Sequence, residues 1–269
     1  MTTIHDIRAG NTVIRIRCSD PSDQPHQPPL VLLPGLGRPS EDLDPFAARL
    51  TAAGYPVLQP DPRGLGGSTG KLDGLTLHDL AADVAAVIVA LAPGGATVIG
   101  HAFGNRIARM LAADRPDLVD TVVLLGCSGL VQPTPAIAEA IRLAQAVDTP
   151  TPIRAKAVQD AWFGPNRDIA IWMDGWSQPV MRAYLAAAAA TETASWWTAG
   201  SARVMIVQGA DDPSAPPENG WLLQREIGNR ASLIDLPGVS HAGPVEAPDA
   251  VAKVVLAFLA RPQPSEAAP

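Results

Sequence analysis

Several things are scarce in this 269-residue chain, and each scarcity removes a class of protein. There are two cysteines, Cys18 and Cys127, too few for a disulfide scaffold. A reduced, cytoplasmic setting is therefore expected. Basic side chains are outnumbered: 20 Lys and Arg face 27 Asp and Glu, and the formal net charge is −7. That leaves no basic footprint for nucleic acid. No apolar run reaches the roughly 18 residues that a membrane span needs. The opening Met1-Thr2-Thr3-Ile4-His5-Asp6 has no basic stretch followed by an apolar one, so no secretory signal is expected. His5, His26 and His78 have no ligand-like spacing, and no phosphate-binding or dinucleotide-binding glycine fingerprint occurs. No metal and no cofactor are expected; the expected partner is a small-molecule substrate, with a homodimer allowed for.

What is present is a globular composition, 47% apolar and 17% charged, on a chain long enough for one large α/β domain with a full core. Ile4–Arg8 and Thr12–Cys18 alternate like two strands about the turn signal Gly10-Asn11. Asp20 to Pro29 is rich in Pro, Asp and Gln and reads as a loop. Leu30–Leu33 reads as a buried strand, Asp42 to Ala53 as an amphipathic helix closed by Gly54, and Val57-Leu58 as the next strand. Thr76 is a helix cap with Asp79 three residues on. The helix it opens carries Leu77, Leu80, Val84, Val87, Ile88 and Leu91 on one face. Further strands fall at Ala96–Ile99, Val122–Leu125, Val204–Val207 and Leu233-Ile234, and helices at about Gly104–Ala113 and Val251–Ala260. Short, wholly apolar strands alternating with helices imply a mostly parallel sheet covered on both faces. Its strand C-terminal ends, and any active site, then share one edge. Pro262 to Pro269 is a polar, Pro-rich tail expected to fray.

One scarcity is a single atom. Gly100-His101-Ala102-Phe103-Gly104 follows an apolar strand and opens a helical pattern. It is the frame of the nucleophile elbow, G-x-S-x-G, in which a strained strand-to-helix turn lifts a serine above a sheet. Here alanine holds the nucleophile position.

Four other motifs follow in order. Gly35-Leu36-Gly37 comes after the third strand. Asp61-Pro62-Arg63-Gly64-Leu65-Gly66-Gly67-Ser68 has the form D-x-R-G-x-G-x-S. Gly209-Ala210-Asp211-Asp212 has the form G-x-x-D, and His241 with Glu246 and Pro248 has the form H-x-x-x-x-E-x-P. With these motifs the chain resembles an α/β-hydrolase from about Thr12 to Ala260. The resemblance implies an eight-stranded, mostly parallel sheet, with core segments 1–127 and 203–261 and a helical cap at 128–202. It implies His241 as the base, Asp212 as its orienting acid, and the amides of Leu36 and Phe103 as an oxyanion hole. The chemistry needs that set: an imidazole within reach of the nucleophile, a carboxylate fixing its tautomer, and N–H donors aimed at developing negative charge.

The implied reaction is cofactor-free hydrolysis of a small, fairly apolar ester, lactone or related bond. Ala102 leaves three readings open. It is an engineered replacement of serine; or it is natural, with His241 acting as a base on water or on a substrate proton, carbon–carbon cleavage included; or the frame is a ligand-binding pseudoenzyme. A substitute nucleophile at Cys127 or Ser128 is the weaker expectation, since a strand-end cysteine is usually a small buried hydrophobe. His101 reads as structural, and Asp61 and Arg63 as braces of the glycine loop. The 128–202 segment holds Trp162, Trp172, Trp176, Trp196 and Trp197, five of the six tryptophans. Trp162, Trp172, Trp176 and Trp197 are candidates to line an apolar pocket, against the plain alternative that they hold the cap in place.

Overall fold

The computed structural model describes residues 2–21 and 27–261. The expected frayed tail, and the middle of the expected Asp20–Pro29 loop, lie outside the described residues. β1 (Thr2–Ala9) and β2 (Thr12–Ser19) form the antiparallel hairpin, with Ala9 opposite Thr12. Gly10 takes φ 59, the left-handed conformation that tight hairpin turns require. β2 then buries Thr12, Ile14, Ile16 and Cys18, its alternate residues.

After the hairpin come β3 (Leu30–Leu33), α1 (Asp44–Ala52), β4 (Val57–Pro60), α2 (Leu77–Leu91), β5 (Thr97–His101), α3 (Gly104–Asp114) and β6 (Thr121–Leu125). The helices α4 (Pro135–Gln145), α5 (Thr151–Trp162), α6 (Ala170–Met173) and α7 (Gln178–Ala189) separate β6 from β7 (Arg203–Gly209). α8 (Glu218–Ile227), β8 (Ala231–Leu236), α9 (Gly243–Glu246) and α10 (Pro248–Leu259) complete the described chain. The eight strands form one sheet in the order β1-β2-β4-β3-β5-β6-β7-β8. β1, β2 and β4 pair antiparallel, and every later pairing is parallel. The expected helix at Asp42–Ala53 starts with a tighter turn at Ser40–Leu43, because Pro45 suits the first turn of a helix rather than its interior.

Each face of the sheet has its own core. One unites β2, alternate residues of β3, β5 and β6, and the apolar stripes of α2 and α3. The other joins Leu30, Leu32, Ile99, Val123 and Met205 to α1 and α10. The cap of α2 forms as its sequence demands: Thr76 Oγ1 accepts from the Asp79 amide at 3.3 Å, and the Asp79 carboxylate accepts from the Thr76 amide at 2.8 Å.

The segment between β6 and β7 divides in its packing. α4, α5 and α6 surround a small cluster of Ala157, Val158, Trp162, Phe163 and Trp172, which reaches the β8 side through Ala242. α7 instead sends Val180, Tyr184 and Ala187 into the main core, alongside Trp196 and Trp197. Among the described residues, no helix is long and apolar enough to cross a membrane.

Candidate active site

The elbow forms without its hydroxyl. β5 ends at His101, Ala102 takes φ 50, and α3 starts at Gly104. A left-handed backbone costs a non-glycine residue roughly 1–2 kcal/mol, so neighbouring bonds must impose it. The Ala102 amide donates to the Leu125 carbonyl at 3.0 Å, and the Asn105 amide donates to the Ala102 carbonyl at 3.1 Å. Buried Asn105 binds the turn to β6 by donating Nδ2 to the carbonyls of Leu125 and Gly126. Side chains are excluded on both flanks. A Cβ on Gly100 would meet the backbone of Gly104, and one on Gly104 would meet the carbonyls of Leu33 and Pro34. The amides of Leu36 and Phe103 make no hydrogen bond to another described residue, so both are available as donors.

The residues expected as base and acid come together. His241 Nδ1 lies 2.9 Å from Asp212 Oδ2, and both side chains are buried. Asp212 Oδ1 accepts from the amides of Ser214 and Ala215, each at 2.8 Å, which fixes the carboxylate. Gln208, unmarked by any motif, donates to Asp212 Oδ2 and to the Ala215 carbonyl and accepts from the Cys127 amide. The loop that bears His241 is held by Glu246, whose carboxylate accepts from the Ser240 amide at 2.5 Å and the Gly164 amide at 2.8 Å. The glutamate of the H-x-x-x-x-E-x-P pattern thus ties the histidine loop to the segment after α5.

His101 is fully buried and aims Nε2 at the His241 carbonyl, 2.9 Å away. Burial, reinforced by the nearby His241 ring, pushes its pKa down to about 3. A neutral His101 therefore donates to the backbone of His241 and positions it. Two residues past Leu36, buried Arg38 pairs with Asp42 at 2.6 and 3.0 Å and donates to the carbonyls of Asp174 (2.5 Å) and Ile171 (2.8 Å). Its guanidinium lies 4.5 Å from the Trp176 ring centroid. Asp61 and Arg63 act as braces. Asp61 accepts from Ser40 Oγ and the Gly67 amide, and Arg63 pairs with Asp83.

These pieces surround a cavity of about 310 Å³. Leu36, Ala102, Phe103 and His241 line it together with Trp162, Trp172 and Trp176. Trp162 and Trp176 stack at 4.7 Å, and Trp172 meets Trp162 edge-on at 5.4 Å. His241 Nδ1 is engaged with Asp212, and Nε2 has no partner among the described residues. A larger hollow, of about 480 Å³, lies at the strand-start end by Leu30, Thr97 and Thr121, away from this chemistry.

Two expectations do not fit this arrangement. Trp197, expected at the substrate, is buried in the main core; its Nε1 donates to Glu226 at 2.7 Å and its ring lies 4.9 Å from the Arg109 guanidinium. A tryptophan at the end of the insertion packs as a core residue because its backbone returns to the sheet there. Cys127 is fully buried, and burial raises its thiol pKa, which disfavours the thiolate a nucleophile requires. Ser128 reaches the cavity wall but has no bond to His241.

Sequence reasoning overlooked Arg38, Gln208 and Arg106. Arg106 lines the cavity in the first turn of α3. A cation is the wrong sign for a helix N-terminus, and that clue was legible beside Gly104-Asn105.

Comparison with known proteins agrees with this architecture. The model of the alpha/beta hydrolase fold family matches residues 28–248, and the chain belongs to that family. A protein of Mycobacterium tuberculosis that bears the name non-heme bromoperoxidase BpoC is 29% identical over 247 residues, covering 86% of this chain and 94% of that one. Its crystal structure superposes with a TM-score of 0.75 at 28% identity over 92% of this chain and 95% of the other. The bifunctional esterase/perhydrolase DCH of Acinetobacter calcoaceticus is 27% identical over 240 residues, 82% of this chain and 87% of that one.

Proposed function

We propose that this chain is a cofactor-free enzyme acting on the carbonyl of a small, largely apolar ester or lactone. His241 is its general base, and no covalent intermediate forms at residue 102. One observation carries this reading: the 2.9 Å bond from His241 Nδ1 to Asp212 leaves Nε2 unpartnered in a cavity where a methyl group replaces the hydroxyl. His241 Nε2 takes a proton from a water molecule, and the resulting hydroxide adds to the carbonyl carbon. The amides of Leu36 and Phe103 stabilise the oxyanion, with the N-terminal end of α3 adding its dipole. Collapse expels the alkoxide, which recovers the proton from the imidazolium. Relatives named as esterases and other hydrolases support the reaction class.

The Ala102 methyl also favours a second reading, in which His241 removes a proton from the substrate itself and the step is not hydrolytic. A panel of short-chain activated esters and lactones separates the cases, with this chain, Ala102→Ser and His241→Ala compared. Turnover by the native chain without a burst, lost in His241→Ala, supports direct attack by water. Silence of the native chain beside burst kinetics in Ala102→Ser shows a disabled covalent triad. Ligand binding that His241→Ala leaves intact, with no turnover in any form, marks a pseudoenzyme and refutes both enzyme readings.

A further inference from the structure

We propose that the substrate carries a carboxylate and that Arg106 is the residue that receives it. The inference rests on the reading of this cavity as the substrate site and adds a charge to a substrate otherwise described as apolar. Arg106 lines the same cavity as Ala102, Phe103 and His241. It stands three residues beyond Phe103 on α3, one helical turn from an oxyanion donor on the same face.

Its surroundings are wrong for a resident cation. Its side chain makes no ion pair and no hydrogen bond with any described residue, and its Nε is buried without a partner. Burial lowers its pKa, the mark of a charge held away from water without compensation. The first turn of α3 contains no acidic residue, and the positive end of the helix adds to the unfavourable field.

One turn on, buried Arg109 adds a second positive charge. It donates to the carbonyls of Asn105 and Ser128, and its Nη1 has no partner. The guanidinium of Arg106 lies 5.5 Å from the Phe103 ring centroid and 5.8 Å from that of Trp196. Rings support a cation from its faces, but they leave its N–H edge unused.

The contrast with the other cationic wall residue is direct. Arg38 also lines the cavity, yet Asp42 and two carbonyls take four of its five N–H donors. Of the two arginines that line this cavity, Arg106 is the one whose guanidinium makes no hydrogen bond to a described residue. A planar fork with a single charge suits a carboxylate, which it binds bidentately. A phosphate would bring nearly twice the charge. The tryptophan wall then takes the apolar body of the molecule while Arg106 fixes its acid end.

Binding tests this without turnover. The probes are 3-phenylpropanoate, its neutral amide 3-phenylpropanamide, and 2-phenylethylphosphonate, titrated by tryptophan fluorescence and calorimetry. The native chain is expected to bind the acid about tenfold or more tighter than the amide, the scale of a charge-assisted hydrogen bond. Arg106→Gln is expected to erase the preference, and Arg106→Lys to keep part of it. Equal binding of acid and amide by the native chain overturns the proposal, and so does an undiminished preference in a folded Arg106→Gln protein. Preference for the phosphonate alone overturns the carboxylate assignment. The acid–amide comparison on native protein needs no variant, so misfolding cannot mask the answer. The preference does not depend on His241, so it survives in His241→Ala even where the proposed base chemistry fails.

Discussion

The two sides of the site have fared differently. On the β7–β8 side the groups of an acid–base pair are assembled: Asp212 on two amides, His241 on Asp212, and Glu246 behind the histidine backbone, which His101 reaches from the end of β5. On the β3–β5 side the backbone is kept and the reacting atom is gone. Ala102 holds φ 50, and the amides of Leu36 and Phe103 stay free, although no serine uses the geometry. The conformation of the elbow is therefore a property of its neighbours, Gly100, Gly104, Asn105 and the carbonyl of Leu125, and not of its central side chain. Strain and side-chain chemistry are separable here: the left-handed turn stands with no hydroxyl on it.

That separation has measurable consequences. The largest lies on the acid–base side. In the Ala102→Ser protein, Asp212→Asn is expected to lower kcat on an activated ester about 10⁴-fold by fixing the wrong imidazole tautomer; a drop below tenfold would show that the pair is not functional. Next comes the elbow frame. Gly104→Ala drives a methyl into the carbonyls of Leu33 and Pro34 and is expected to cost about 3 kcal/mol in urea unfolding.

A smaller effect follows pH. The pKa of His101 is about 3 in the folded chain and near 6.5 in the unfolded one, so the unfolded state binds one more proton between those values. Its contribution to stability is thus complete above about pH 6.5 and falls on acidification, by about 1.4 kcal/mol per pH unit at its steepest. His101→Gln lacks that proton, so the stability gap between native and variant should narrow from pH 7 to pH 4.5; a constant gap refutes the assignment. The smallest effect belongs to the strained residue. Ala102→Gly relieves the left-handed backbone but adds freedom to the unfolded chain, for a net gain of about 0.5–1 kcal/mol in thermal unfolding.

The motifs carry the backbone of the site openly. Gly100 and Gly104 are recognisable because close approach leaves few residue choices, and Asp212 and His241 because the chemistry does; together they leave a spaced pattern in one dimension. The strands and the Thr76 cap are legible for a similar reason, since their periods and offsets are local. Arg38 and Gln208 are not legible in that way, whereas Arg106 leaves a local sign, a cation in the first turn of a helix. Arg38 meets Ile171 and Asp174 more than 130 positions later, and no local period encodes such a meeting. Trp197 shows the same limit from the other side. It shares its segment and its type with Trp162, Trp172 and Trp176, and only the return of the chain to the sheet assigns it to the core.

Because the turn at Ala102 stands without a serine, the difference between the two chemistries is one oxygen atom on an unchanged scaffold. Alanine and serine codons are related by a single nucleotide exchange. A single nucleotide exchange would therefore place a hydroxyl on the turn that Ala102 already adopts. What holds that turn ready is Gly104, Asn105 and the Leu125 carbonyl, groups that carry no reacting atom themselves.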